Sequence, residues 1–184
     1  MKKIVFCLLT LTALAGRTQA QTEKGDWLVG GNMTINTTSG NSQFTLQPSA
    51  GYFFAHNFAA GAEFLLSFGK FGDEKTSTVG IGPFARYYFD LKEGHFKPFV
   101  HTSVDFASQT TKIPDGGGTT IKTSNTITSF FIGAGGAFFI NDNVALEVLA
   151  GYNNSKVQSQ TGQGGFLFRV GFQVHLLGSE VKRK

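Results

Sequence analysis

One stretch, residues 83–106, constrains the fold more than any other, because its apolar and polar residues alternate over two strand lengths. One face of its second half carries Phe96, Pro98, Val100, Thr102, Val104 and Phe106, and the other carries Lys97, Phe99, His101, Ser103 and Asp105. Successive side chains of a β-strand point to opposite faces. The stretch therefore predicts a β-hairpin with one apolar face and one face that holds the ionisable groups.

The same alternation recurs along the chain and predicts eight strands, at about residues 27–36, 43–54, 58–69, 79–89, 96–106, 129–140, 144–153 and 166–176. No segment shows a helical period of 3.6 residues. Each strand is about ten residues long, as a tilted strand needs to cross a bilayer. We predict an all-β protein, a closed eight-stranded antiparallel up-and-down transmembrane β-barrel.

The predicted connections differ in length. Those at 55–57, 90–95 and 141–143 are short turns, whereas those at 70–75, 107–125 and 154–165 are longer polar loops. The first connection, at 38–42, is also short. Outer-membrane barrels have short periplasmic turns and longer outer loops, with both termini inside. This pattern predicts that the long loops, above all 107–125, are exposed outside the cell.

Residues 1–20 have the features of a secretory signal peptide. Lys2 and Lys3 precede an apolar run, and Thr18, Gln19 and Ala20 form a small-x-small cleavage site. We therefore predict a cleaved signal peptide at 1–20, a barrel at 21–177 and a charged tail at 178–184. A membrane anchor is the alternative, but the apolar run is short for a span. The mature chain would contain no cysteine and hence no disulfide.

Charge argues against nucleic-acid binding. Removing Lys2, Lys3 and Arg17 with the signal peptide leaves 13 basic residues against 12 acidic ones. Charged residues make up only 15% of the chain, and mean hydropathy is near zero. The chain therefore lacks the basic excess of a nucleic-acid-binding domain. It also lacks the long apolar runs of a helical membrane protein.

The position of the aromatic residues favours a membrane barrel over a soluble, lipocalin-like barrel that buries its apolar face around a ligand. Aromatic side chains concentrate at both ends of the apolar face, with aliphatic residues between them. These two belts are typical of lipid-facing strands. The predicted belts comprise Trp27, Phe44, Tyr52, Phe68, Tyr87, Phe89, Phe96, Phe106, Phe130, Phe138, Tyr152 and Phe166. Six further aromatics are expected to pack a narrow interior: Phe53, Phe84, Tyr88, Phe99, Phe131 and Phe139.

Several motifs resemble those of a known family. GYFF-turn-NFAAGAEF, PFARYYF-turn-PFV and GAGGAFF-turn-VALEVLAGY are similar to the small outer-membrane β-barrel domains of the Gram-negative envelope, of porin-like or OmpX/OmpW-like type. The resemblance covers nearly the whole mature chain and implies location in the outer membrane, with lipid as a partner. The last strand resembles the assembly signal of such proteins at Arg169, Gly171, Val174 and Leu176. This implies recognition by the barrel-assembly machinery, although Leu176 replaces the usual terminal aromatic residue and eight residues follow it.

The inward face is predicted to carry a charge network, formed by Glu63, Arg86, His101, Asp105, Glu147 and Arg169. Glu63 and Arg86 lie on neighbouring predicted strands, as do Glu147 and Arg169. Charges in a narrow interior must be paired or solvated. We expect an Arg/Glu network near mid-barrel, with Gly80, Gly82, Gly133 and Gly135 leaving room for the long side chains. The register stays open, since one shift pairs Arg86 with Phe99 and another with His101.

Three functional hypotheses follow. The first is a non-enzymatic barrel with a structural or surface-interaction role, its lumen plugged by the charge network and its surface ligand unknown. The second is a narrow channel for small or hydrophobic solutes. The third, remote, is a lipid-modifying enzyme, since His101-Thr102-Ser103 resembles the His-x-Ser element of outer-membrane lipid A deacylases. The predicted inward orientation of His101 and Ser103 argues against catalysis on lipid. The histidines share no metal-ligand spacing, and we expect no cofactor or metal.

Overall fold

The computed structural model describes residues 22–91, 95–114, 120–157 and 162–178. Its strands are β1 (Trp27–Thr38), β2 (Asn41–Ala55), β3 (Phe58–Phe71), β4 (Glu74–Tyr88), β5 (Phe96–Pro114), β6 (Thr120–Phe139), β7 (Val144–Val157) and β8 (Gln163–Leu176). Each strand pairs antiparallel with its neighbours in sequence, and β8 pairs with β1 to close the barrel. The predicted fold is confirmed. No helix within the described ranges is long and apolar enough to cross a membrane.

The two ends of the barrel differ. One end, which we call the turn end, holds Thr22, Gly178 and the connections after β2, β4 and β6. Asn57 has φ 64° in the β2–β3 turn, a left-handed conformation that asparagine tolerates. The other end, which we call the hairpin end, holds the connections after β1, β3, β5 and β7. Gly40 and Gly72 take the left-handed positions of two tight hairpins there, with φ 78° and 60°.

The predicted long loops are wrong, because paired strands occupy most of their length. β3 runs to Phe71 and β4 begins at Glu74, so the predicted loop at 70–75 is a two-residue turn. β5 and β6 stay paired from Phe106↔Thr128 to Pro114↔Thr120, within the predicted loop at 107–125. β7 extends to Val157 and β8 begins at Gln163. Polar, turn-like residues suggested loops, but backbone pairing between neighbouring strands continues beyond the apolar band.

Alternation along the strands separates two environments. The interior is packed by aromatic and aliphatic side chains, among them the fully or almost fully buried Leu28, Phe53, Phe84, Tyr88, Phe99, Phe131 and Leu149. The opposite face exposes large apolar residues on all eight strands, such as Val29, Leu46, Phe64, Ile81, Val100, Ile132, Leu146 and Phe168. An apolar exterior around a packed, partly polar interior is the reverse of a soluble barrel and fits a barrel surrounded by lipid.

The aromatic belts have the spacing of a bilayer. Phe58 and Phe68 of β3, like Phe96 and Phe106 of β5, are ten residues apart on the outward face. Ten residues extend about 34 Å along a strand, which at ~45° tilt corresponds to a band roughly 25 Å tall. Ten of the twelve predicted belt residues are exposed outside. Tyr52 and Phe96 are half-buried, because Trp27 and Phe138 pack against them at ring-centroid distances of 5.3 and 4.7 Å.

Candidate functional site: the charged interior

The six predicted network residues all lie inside the barrel. Strand alternation directs them inward, and each is at most 2% exposed. The structure divides them between two groups at different depths. Arg86 and Glu147, together with Tyr88, form a turn-side cluster. Glu63, His101, Asp105 and Arg169 form a hairpin-side cluster, and His101 connects the two.

The turn-side cluster is compact. Arg86 Nη1 of β4 lies 2.8 Å from both carboxylate oxygens of Glu147 on β7. The Tyr88 hydroxyl donates to Glu147 Oε1 at 3.2 Å and accepts from Arg86 Nη1 at 3.0 Å. Both charged side chains are buried, at 1% and 0% exposure. A buried pair whose charges meet in good geometry and gain further hydrogen bonds is the kind that a narrow interior can accommodate.

Aromatic rings surround this pair. The Arg86 guanidinium carbon lies 4.4 Å from the centre of the Phe99 ring, a cation–π distance. Tyr88 packs against Phe99 and Phe53, with ring centroids 5.4 and 5.9 Å apart. His175 packs against Phe53, Tyr88 and Phe139 at 5.1–5.7 Å. The turn-side half of the interior is therefore filled by rings around one ion pair.

The hairpin-side cluster is looser. Arg169 Nη1 lies 3.8 Å from Glu63 Oε1, and His101 Nε2 lies 3.6 Å from Glu63 Oε2. Both distances exceed hydrogen-bonding range. Gln47 Nε2 approaches Glu63 Oε1 at 3.4 Å. The Arg169 guanidinium carbon lies 4.1 Å from the centre of the Phe131 ring. His101 Nδ1 accepts a hydrogen bond from Arg86 Nε at 3.2 Å, so a neutral ring carries its proton on Nε2, towards Glu63.

Several buried polar atoms in this half have no hydrogen-bond partner among the described residues. They are Asn32 Nδ2 and Oδ1, Glu63 Oε2, His101 Nε2, Ser103 Oγ, Asp105 Oδ1, and Arg169 Nε and Nη1. In the turn-side half, Gln173 Oε1 opposite Ala145 is also without such a partner. Buried polar groups are almost always satisfied by protein or by ordered water. The polar atoms of the hairpin-side cluster therefore need a further partner such as water, whereas the turn-side cluster satisfies its own charges.

The pairing differs from what neighbouring strands suggest. Each arginine reaches the acid across the lumen, Arg86 to Glu147 and Arg169 to Glu63, rather than the acid on the adjoining strand. Glu63 stands opposite Gly82, four residues from Arg86, so the adjoining acid is out of register. The sequence left two registers open for Arg86, and the structure has the one in which Arg86 lies opposite His101.

The interior glycines serve the rings more than the charges. A Cβ at Gly133 would lie 2.8 Å from Phe131 Cζ, and a Cβ at Gly135 would lie 2.6 Å from Phe99 Cζ. Only Gly82 leaves space beside a charged group, since its Cβ would lie 2.6 Å from Asp105 Oδ1. Gly80 is covered by Ala107. Of the four glycines expected to make room for long charged side chains, only Gly82 has a charged side chain among the atoms nearest its Cβ position.

A third polar cluster, at the turn end, was missed by sequence reasoning. Lys97 Nζ contacts Asp90 Oδ1 at 2.8 Å and donates to Thr22 Oγ1 at 2.7 Å. The Asn57 backbone amide donates to the Thr22 carbonyl at 2.8 Å. His56 lies 2.8 Å from Asp90 and 3.1 Å from Glu23. These contacts, which we call the turn-end latch, fasten the segment before β1 beneath the barrel. Apart from Lys97 and Asp90, which are seven residues apart, the partners are 33–75 residues apart in sequence, so no local motif indicates them.

The pKa shifts of Asp90 and His56 agree with the contacts of the turn-end latch. Partial burial alone would raise the pKa of Asp90, but hydrogen bonds from Lys97, Asn57 and His56 outweigh it and lower that pKa to about 2. The hydrogen bond to Asp90 raises the pKa of His56 against a smaller opposing effect of burial, and Glu23 adds to the increase. Both groups lie outside the membrane-spanning segments.

The interior offers no evident chemistry for catalysis on lipid or for metal binding. His101 and Ser103 are each 2% exposed and point into the lumen, away from the lipid-facing surface. Within the described ranges, no group of three His, Cys, Asp or Glu side chains is placed to hold a metal ion. The site is an arrangement of buried charges and rings.

Comparisons with known proteins agree with this geometry. The family model of the outer membrane protein β-barrel domain matches residues 6–176, and the chain belongs to that family. Membership implies the outer membrane. The crystal structure of neisserial surface protein A (NspA) is similar, with TM-score 0.57 and 18% identity over 82% of this chain and 97% of that one. The crystal structure of the N-terminal β-barrel domain of Pseudomonas aeruginosa OprF has TM-score 0.50 and 15% identity over 83% of this chain and 98% of that one. At these identities both show the fold alone. No curated protein matches the chain.

Proposed function

We propose that this protein is a non-conducting outer-membrane barrel with a structural or surface-interaction role, whose lumen is plugged by its own charge network. One observation carries the proposal. The Arg86–Glu147 pair crosses the lumen with both side chains fully buried and aromatic rings packed around it. An eight-stranded barrel is only wide enough for its own side chains or one small ligand. A continuous aqueous path would have to separate this pair.

The β5–β6 hairpin supports the surface role. β5 continues eight residues beyond Phe106, which places its last residue, Pro114, roughly 19 Å above the aromatic belt at ~45° tilt. Residues 120–126 of β6 are all exposed. In outer-membrane barrels the end opposite the termini faces the exterior. The hairpin is thus the element that a surface ligand would meet first.

Two further parts of the proposal concern export. The predicted signal peptide at 1–20 lies outside the described residues, as do residues 179–184 of the predicted tail. The proposed assembly signal lies on β8, where Leu176 is exposed on the outward face and Gly171 and Arg169 face inward. We retain recognition of this strand by the barrel-assembly machinery as a proposal, and cleavage after Ala20 as a prediction.

Conductance in planar lipid bilayers tests the plug. We expect the refolded wild-type protein to give no stepwise conductance. Arg86→Ala combined with Glu147→Ala removes both ends of the pair and should produce measurable openings. The matched control, Lys24→Gln with Lys156→Gln, changes two exposed charges and should stay silent. Stepwise conductance of the wild-type protein would reject the plug.

That outcome would favour the second candidate, a narrow channel. The observation in its favour is the set of buried polar atoms in the hairpin-side cluster that have no partner within the described ranges, which suits water or a small polar solute. The channel would still have to pass the turn-side cluster. Selectivity that changes with Arg169→Ala would assign the conduction path to the lumen. We propose no catalytic role.

A further inference from the structure

Four lysines form a row on the outside of the barrel near the hairpin end. Lys70 of β3 opposes Lys75 of β4, Lys75 opposes Lys112 of β5, and Lys112 opposes Lys122 of β6. Neighbouring strands lie about 4.8 Å apart, so this lysine row extends roughly 14 Å across four strands. All four residues are exposed. Strand alternation places them on the same outward face as Phe68, Phe106 and Phe130.

The row has no internal compensation. Like charges directly opposite on neighbouring strands destabilise a sheet, and here three such pairs follow one another. Within residues 22–91, 95–114, 120–157 and 162–178, no carboxylate lies within 4 Å of any of the four ammonium groups. The neighbouring Glu74 falls on the other face of β4 by alternation. Such an arrangement fits an external anion with several negative charges.

A groove beneath the row indicates what that anion is attached to. It has a volume of about 590 Å³. Its lining combines the apolar side chains Ile35, Phe44 and Phe68 with Lys70, Lys75 and Lys112, and also includes five uncharged polar residues. Phe44 and Phe68 belong to the aromatic belt, the level at which acyl chains give way to headgroups. Lys70 lies two residues beyond Phe68 on the same strand. The groove is therefore apolar at the acyl-chain level and basic at the headgroup level.

The row also rises away from the membrane. Lys70 is two residues beyond the belt on β3, Lys112 is six residues beyond Phe106 on β5, and Lys122 is eight residues from Phe130 on β6. Tilted strands produce this inclination, because a row of paired residues is perpendicular to the strands rather than to the membrane normal. One phosphate near the belt and a second anionic group further out would both meet a lysine.

We infer that this groove and the lysine row bind a lipid of the outer leaflet that carries more than one phosphate. Its acyl chains lie along Ile35, Phe44 and Phe68, and its phosphates bind Lys70, Lys75 and Lys112. A soluble anion cannot use the apolar half of the groove, and a phosphate-free lipid cannot compensate the lysines. The site lies on the exterior and does not depend on whether the lumen conducts.

The test measures lipid binding to the folded protein in detergent micelles. The probe is a diphosphorylated acylated glycolipid, compared with the same glycolipid after removal of its phosphates. Lys75→Gln with Lys112→Gln removes the centre of the row, and Lys24→Gln with Lys156→Gln is the matched control, with two exposed lysines outside the row. Each lysine near an anionic surface contributes about a fivefold factor, so we expect roughly thirtyfold weaker binding for the first variant. The control should bind as the wild type does.

Three results would overturn the inference. Equal weakening in both double variants would mean that only overall charge matters. Equal binding of the dephosphorylated glycolipid would mean that only the apolar surface matters. Displacement of the glycolipid by an equal concentration of inorganic phosphate would identify a site for the free anion. Heat-dependent gel migration, compared for all variants, verifies that each barrel is folded before binding is measured.

Discussion

The two charged clusters in the lumen contain the same kinds of residue and are both buried, yet they are organised differently. In the turn-side cluster Arg86 lies 2.8 Å from both oxygens of Glu147, and Tyr88 completes the hydrogen bonds. In the hairpin-side cluster Arg169 lies 3.8 Å from Glu63, and several polar atoms have no hydrogen-bond partner in the part of the chain that the structure describes. The contrast separates a half of the lumen whose charges satisfy one another from a half whose polar atoms need a further partner such as water. Burial alone does not distinguish the two, whereas hydrogen-bond satisfaction does.

The largest expected effect is on the dry pair. Arg86→Ala leaves Glu147 buried and unpaired, which should lower the free energy of unfolding by ~3–5 kcal/mol. Urea unfolding of the barrel in micelles measures this loss. Adding Glu147→Ala removes the unpaired charge, so the double variant should be more stable than the sum of the single effects predicts. An unchanged unfolding midpoint for Arg86→Ala would contradict the assignment of a dry pair.

The next largest loss of stability is expected when the aromatic rings around Arg86 and Glu147 are displaced. Phe99 lies over its cross-strand partner Gly135, where a Cβ would come within 2.6 Å of the ring and still closer to the Val148 carbonyl oxygen. Gly135→Val should displace Phe99 from Arg86 and destabilise the barrel by about 1–3 kcal/mol, the usual cost of overpacking. Gly165→Ala is the control, since nothing lies within 4 Å of its Cβ position. Equal unfolding midpoints for the two variants would show that the rings do not support the pair.

Arg169→Ala makes the equivalent arginine-to-alanine change in the hairpin-side cluster. If water already solvates Glu63 and Arg169, their separation should cost less, roughly 1–2 kcal/mol, mainly from the lost contact with Phe131 and weaker hydrogen bonding. The measurement is the same urea titration. A loss as large as that for Arg86→Ala would mean that the hairpin-side cluster is as dry as the turn-side one.

The smallest effect is expected outside both clusters, at the turn-end latch. Because Asp90 raises the pKa of His56, Asp90→Asn should bring that pKa back down towards its ordinary value near 6.5. Histidine NMR titration of the folded protein measures the change, with Asp142→Asn, an exposed acid in another turn, as the control. If the pKa of His56 is unchanged in Asp90→Asn, the contact between His56 and Asp90 is excluded.

The latch also has a defined pH window. The raised pKa of His56 gives a contribution to stability that is present below about pH 6.5 and is lost as pH rises through the folded-state pKa. The lowered pKa of Asp90 gives a contribution that is present above its ordinary value of 3.8 and is lost as pH falls towards about 2. Both contributions are therefore present only between these limits, the range in which the latch should be firmest.

Much of the fold and part of the site were predictable from local patterns. Phe53, Tyr88 and Phe131 were expected inside, and the structure buries them. Polar composition misled the assignment of 107–125, because residues there look loop-like while their backbones remain paired. The latch between Thr22, Asn57 and Lys97 was missed, since its partners are brought together only when the barrel closes.

The sequence by itself determined the strand number and which side chains face inward, because alternation with a period of two is a local property of each strand. It also placed Arg86, Glu147, Glu63 and Arg169 in one lumen. Only the tertiary structure decided their partners. Closure of the barrel fixes which residues of neighbouring strands lie opposite each other. This register places Arg86 within hydrogen-bonding distance of Glu147, whereas Arg169 stays beyond that distance from Glu63.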